Sequence, residues 1–198
     1  MILAYHAIFS AYGFWLPNDP RGSWSTFVAA WELLLAGGKA TKTIDSRSLA
    51  HASHDRSKRL RTKQALKYQP VSFSGEQALS VAKGFVEAIA DGDYPVYACS
   101  ILPEHVHMVT GRHARDVERI VGHLKSSATR RLDGDGLHPF AGMFKNNGSK
   151  QSPWAERCWK VFLDSSDDVA RAIRYVEQNP LKEGKKQQHW SFVRPFGN

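Results

Sequence analysis

At 198 residues and 42% apolar side chains, the chain can form one domain with a full hydrophobic core, with or without an insertion, and would be crowded as two. Its 27 Lys and Arg against 19 Asp and Glu suit a phosphate-rich partner without telling nucleic acid from a membrane surface. Two cysteines, Cys99 and Cys158, in no C-x-x-C spacing argue against a disulfide framework or a thiolate zinc site and fit a reducing, cytoplasmic setting.

The N-terminal stretch MILAYHAIFSAYGFWLP is apolar but lacks a basic leader and meets Pro17 early, so it reads as a first strand over residues 2–9, not as a signal peptide. No apolar run approaches the roughly 20 residues that cross a bilayer, so no membrane partner is expected. WLPNDPRGS supplies turn chemistry through Asn18, Asp19, Pro20 and Gly22. Residues 36–55 read as loop, and RSKRLRTKQALKYQP places six Lys or Arg between Arg56 and Lys67, either a solvated helix face or a phosphate-contacting surface.

From Glu76 to Ala90, apolar residues Ala78, Leu79, Ala82, Phe85, Val86 and Ile89 recur at helical spacing and predict a helix ended by DGDYP. VYACSIL and HVHMVT, joined by PE, predict a hairpin over 96–110. Val117, Ile120, Val121, Leu124, Ala128 and Leu132 predict a second amphipathic helix, with Arg115, Arg119, Lys125, Arg130 and Arg131 mostly on its outer flank. Residues 133–153 read as a flexible loop, CWKVFLD as a fourth strand, and SSDDVARAIRYVEQN as a last helix, capped by serine and stopped by Pro180. The order predicts an α+β fold: a ferredoxin-like antiparallel sheet backed by helices, with an extra C-terminal helix. Residues 1–198 are expected to form a single domain, with a variable basic segment at about 24–74.

Two histidines, His105 and His107, flank one valine in LPEHVHMV. In a strand they point the same way, about 7 Å apart, and can converge on one ion; the same pattern also arises from plain alternation. The last helix bears on the choice. Its stripe of Val169, Ala172, Ile173 and Val176 puts Tyr175 roughly 110° and Asn179 roughly 70° from the stripe centre, on one flank beside the core. If that helix crosses the histidine face, two imidazoles and the Asn179 carbonyl can hold a divalent ion against a scissile phosphate, and Tyr175 can attack it. A tyrosine that caps a core edge with its hydroxyl wet is the alternative.

LPEHVHMV resembles the histidine-hydrophobic-histidine (HUH) signature of single-tyrosine transposases, and AIRYVEQNP resembles their tyrosine helix. With YHAIFSAYGFWLPNDPRGS and WAERCWKVFLDSSDD, the chain over residues 1–184 is most similar to REP-associated tyrosine transposases. The resemblance implies an HUH transposase fold, a Mg or Mn ion, and a single-stranded DNA substrate with a REP-like or element-end hairpin. It implies His105, His107 and Asn179 as metal ligands and Tyr175 as the nucleophile that forms a 5′-phosphotyrosine. Glu104 stands where many relatives carry asparagine, and the loops at 36–55 and 133–153 are idiosyncratic.

Candidate phosphate contacts are Arg21, Arg59, Arg61, Lys125, Arg130 and Arg131, with Arg171 and Arg174 near the tyrosine. Trp15, Trp24, Trp159 and Trp190 offer planes for base stacking. The leading expectation is a metal-dependent DNA strand transferase, with a homodimer left open. A non-catalytic ferredoxin-like nucleic-acid-binding module and a metal phosphoesterase that uses water are the rivals.

Overall fold

The computed structural model describes residues 1–23, 25–43, 52–145 and 148–197. In chain order the elements are β1 (Ala4–Ser10), α1 (Trp31–Gly37), α2 (Arg56–Gln64), α3 (Gly75–Gly92), β2 (Val96–Ile101), β3 (His105–Gly111), α4 (Val117–Gly134), β4 (Trp159–Leu163) and α5 (Ser166–Lys182). The residues divide into two compact units, one made of Met1–Ala11 and Ser72–Asn198, the other of Tyr12–Val71. Among the described residues, no helix is long and apolar enough to cross a membrane.

In the larger unit the four strands form one antiparallel sheet in the order β2-β3-β1-β4. With α3 after β1 and α4 after β3, that is the expected ferredoxin-like α+β arrangement. Pairing of Ala7 with Met108 and of Phe9 with Val106 sets the register between the two central strands. Since side chains alternate, Tyr5, Ala7, Phe9, Val106 and Met108 share one face, and Ala4, His6, Ile8, His107 and Val109 share the other.

The first face carries the aromatic core: Phe9 lies 6.0 Å from Phe85 of α3 and 5.8 Å from Trp154, ring centroid to centroid. The sequence puts Leu79 and Val86 on the inner stripe of α3, but both point outward; Ala82, Phe85 and Ile89 are buried as expected, and Val81 and Ala88 join them because α4 packs against that side. α3 and α4 meet closely at Gly84, where an added Cβ would lie 2.6 Å from the Ala128 Cα. A capping box between Ser74 and Gln77 starts α3, satisfying two end groups reciprocally.

The second face is covered by α5. Val169, Ala172 and Val176 pack on Ala4, Ala98, Val109 and Leu163. Ser165 caps the helix by accepting from the Asp168 N–H. Contrary to the sequence expectation, Pro180 does not end it: α5 runs on to Lys182. Proline removes the N–H that would bond to the Val176 carbonyl, and only Leu181 and Lys182 follow it in the helix.

Two further departures concern irregular chain. The stretch read as a flexible loop is anchored, with His138 and Phe140 buried and Leu137 accepting from the Gln77 side chain. The outer edge of β2 is covered by the C-terminal segment, where the Gln188 amide both accepts from the Ile101 N–H and donates to its carbonyl. An edge strand so occupied no longer offers free backbone groups there.

The smaller unit pairs α1 with α2. Gly37 of α1 sits so close to Thr62 of α2 that an added Cβ would come within 2.6 Å of its hydroxyl. Asn18 ties the unit together by donating to the carbonyls of Leu33 and Gly38. The basic run forms α2, capped by Asp55, which accepts from the Lys58 N–H.

The α3–α4 contact is testable. Gly84→Val should cost about 2 kcal/mol or more through overpacking, read as a lower urea midpoint. Gly122→Ala, on the open side of α4 with nothing within 4 Å of an added Cβ, should instead gain up to about 1 kcal/mol. An unchanged midpoint for Gly84→Val would contradict the packing.

Candidate functional site

The pairing of β1 with β3 sets three histidines side by side on the α5 face. His107 pairs with Ile8 and His105 with Ser10, so His6 stands one step diagonally from His107 on the same face. His6 Nε2 lies 2.9 Å from His107 Nδ1, a buried hydrogen bond between rings. The rings of His105 and His107 are 4.9 Å apart, centroid to centroid.

α5 supplies the opposing wall. Tyr175, Asn179 and Glu183 follow one another at four-residue spacing, so they form one stripe along the helix and its continuation. The Tyr175 ring is 5.8 Å from His6 and 5.7 Å from His107. One end of the stripe therefore meets His6 and His107. At the other end, Glu183 Oε1 lies 3.9 Å from His105 Nε2, beyond hydrogen-bonding distance. Asn179, between them, is buried, and its Nδ2 has no hydrogen-bond partner among the described residues. The tyrosine and the histidines of a single chain thus meet without a second copy.

Burial governs the charges. Desolvation pulls the imidazole pKa values of His6 and His105 down to about 4. His107 is also held well below the ordinary value, by burial first and then by its neighbours His105, His6 and Lys182. Neutral imidazoles keep a lone pair, which is the form a metal ion needs. Burial, and next the Glu183 carboxylate, push the Tyr175 phenol above its ordinary value, so it stays protonated at neutral pH. Lys182 places its ammonium 4.4 Å from the Tyr175 ring centroid.

The donor types fit a divalent ion: two neutral imidazoles, an amide whose oxygen and nitrogen can exchange places by a flip, and a carboxylate. Among the described residues, no three His, Cys, Asp or Glu side chains converge as a complete cage. The His107 Nδ1 is already committed to His6, so only its Nε2 remains for an outside ligand.

Of the residues singled out from sequence, His105, His107, Tyr175 and Asn179 belong to this one site. His6 and Glu183 were missed. His6 was legible only as a histidine on an alternating strand, since the register that carries it to His107 depends on β1 pairing with a strand about 100 residues away. Glu183 was hidden because the helix was expected to stop at Pro180.

The proposed phosphate contacts fare differently. Lys125 is not on an outer flank: it is 8% exposed, and its Nζ donates to the carbonyls of Ala155, Glu156 and Arg157. That clamps the approach to β4 and removes the ammonium from solvent. Arg21 is likewise enclosed, forked onto Asp19 at 2.8 Å by two donors and stacked 3.7 Å over the Trp15 ring. Arg59, in the same unit, lies 3.8 Å from Asp19, while Arg61 is exposed on α2. Arg131 pairs with Glu87 and Asp135. Arg130 is exposed and donates to Ser127, Arg171 pairs with Asp168, and Arg174 is exposed on α5. Of the stacking candidates, Trp15 lies under Arg21, Trp190 stacks on Phe192, Trp159 is partly buried in β4, and Trp24 lies outside the described residues.

No protein-family model and no curated protein matches the chain. Two of the solved structures that match overlap most of it. One is a REP-associated tyrosine transposase bound to a REP hairpin, 12% identical with a TM-score of 0.47, over 91% of this chain and 68% of that one. The other is a candidate transposase of Deinococcus radiodurans R1, 13% identical with a TM-score of 0.41, over 90% of this chain and 91% of that one.

The two roles of basic residues separate by measurement. Lys125→Met should lower stability by about 1 to 3 kcal/mol as the three carbonyls lose their donor, while any nucleic-acid binding by the folded protein stays unchanged. A large loss of affinity at unchanged stability would return Lys125 to the phosphate-contacting set.

Proposed function

We propose that this chain cuts and rejoins single-stranded, hairpin-bearing DNA through a covalent bond between Tyr175 and a 5′ phosphate. The observation that carries the reading is the placement of the half-exposed Tyr175 ring against His6 and His107, with Asn179 one turn further along α5. The resemblance of LPEHVHMV and AIRYVEQNP to the motifs of REP-associated tyrosine transposases supports the same assignment.

His105, His107 and the Asn179 side chain would hold a magnesium or manganese ion, which when bound supplies a Lewis acid to a phosphate oxygen. Tyr175 acts on the phosphorus. Its phenolic oxygen forms the new bond, the bond from phosphorus to the 3′ oxygen breaks, and the phenolic proton ends on that oxygen as a 3′ hydroxyl. The phenol is protonated at neutral pH, so its proton must be released in the course of the displacement. Lys182 beside the ring offsets the negative charge that grows on the phenolic oxygen. A second 3′ hydroxyl attacking the phosphotyrosine reverses these bond changes and joins a strand without ATP.

A base-stacking module of ferredoxin-like shape is disfavoured by α5, which covers the sheet face where Ala4, Ala98 and Val109 lie. A phosphoesterase that uses water would not need Tyr175.

Incubation with manganese and a set of hairpin-bearing single strands should yield a protein–DNA adduct that survives a denaturing gel. Tyr175→Phe should abolish it. His105→Ala and His107→Ala should lower cleavage at least about 100-fold while leaving DNA affinity within several-fold, because phosphate contacts elsewhere supply binding. Cleavage that persists in Tyr175→Phe would point to water as the nucleophile and sink the tyrosine's role.

A further inference from the structure

We propose that His6 is a positioning residue: it accepts a hydrogen bond from the His107 Nδ1–H and so leaves the His107 Nε2 lone pair free for a metal ion. This rests on the strand-transfer reading for its purpose, though not for its test. The 2.9 Å contact joins two ring nitrogens, and one proton must lie between them. That one proton belongs either to His6 Nε2 or to His107 Nδ1, so for two neutral rings only two arrangements exist.

If the proton sits on His6 Nε2, His107 accepts at Nδ1, carries its own proton on Nε2, and has no lone pair left to give. If it sits on His107 Nδ1, the Nε2 lone pair is open. Only the second arrangement lets His107 bind an ion at all. The same logic, one ring nitrogen bonded to a fixed neighbour while the other ligates, orients metal-binding histidines generally.

His6 is well built to impose it. β1 is a central strand, and His6 is paired with Val109 of β3 on one side and Val161 of β4 on the other. The residue is 9% exposed, and its ring rests against Tyr175. A side chain fixed by two strands and a helix makes a rigid acceptor. His105 has a different surrounding, with the Glu183 carboxylate 3.9 Å from its Nε2.

The tautomer can be read in metal-free protein labelled with 15N-histidine, from two-bond proton–nitrogen correlations at neutral pH. His107 should carry its proton on Nδ1 in the native chain. His6→Phe should switch it to the Nε2–H form that free imidazole prefers and weaken Mn2+ binding by about 10- to 100-fold. His6→Gln, whose side-chain carbonyl can accept the same proton, should recover most of both. Circular dichroism checks that each variant folds; if His6→Phe does not, the native tautomer and His6→Gln still decide. A native His107 protonated on Nε2, or a tautomer indifferent to His6→Phe, overturns the proposal. Because this readout needs neither metal nor DNA, a chain that forms the DNA adduct but shows the wrong tautomer refutes only the role of His6. The right tautomer without any adduct refutes only the strand transfer.

Discussion

The packing of α5 across the sheet sets where every candidate reactive group lies. Val169, Ala172 and Val176 are pressed onto Ala4, Ala98, Val109 and Leu163, and each buried aliphatic side chain of valine size contributes about 1.5 to 3 kcal/mol. That contact fixes the rotation of the helix about its own axis. Once the rotation is set, the stripe of Tyr175, Asn179 and Glu183 has no choice but to face the histidines. A turn of the helix by one residue, about 100°, would carry Tyr175 away from the sheet.

The same burial decides the electrostatics. Three imidazoles gathered in one place would repel each other if charged; desolvation keeps them neutral, so that each retains a ring-nitrogen lone pair. The cost falls on the phenol, which burial and Glu183 also keep neutral. A site that favours neutral forms throughout has little charge of its own near the reacting bond, apart from Lys182 beside Tyr175 and the carboxylate of Glu183. In the proposed reaction, positive charge for a phosphodiester would have to come from that lysine, from exposed residues such as Arg174, or from a bound ion.

Much of the fold was legible because it follows from periodicity. Alternation in residues 2–9 and 96–110 and the apolar stripes of α4 and α5 predicted the elements, and their order predicted the sheet. What stayed hidden depends on partners distant in sequence. The inner face of α3 could not be assigned between Leu79 and Val81 without α4, and His6 could not be matched to His107 without the strand register. Pro180 misled because it was expected to stop the helix, whereas Leu181 and Lys182 continue α5 beyond it. Lys125 misled because a lysine's charge usually means exposure, and nothing local reveals that three carbonyls of residues 155–157 wait to receive it. The candidate site was therefore half readable: the two histidines, the tyrosine and the asparagine from motif and helical geometry, His6 and Glu183 only from the folded chain.

In the proposed reaction Tyr175, and no other group, takes the 5′ phosphate. Peptide mapping by mass spectrometry, after nuclease digestion of chain that has reacted with a hairpin-bearing single strand, tests it most directly. A nucleotide mass is expected on the α5 peptide, with fragmentation placing the 5′ phosphate on Tyr175. A nucleotide on another residue, such as Tyr5 or Tyr97, or a cut strand with unmodified protein, would contradict it.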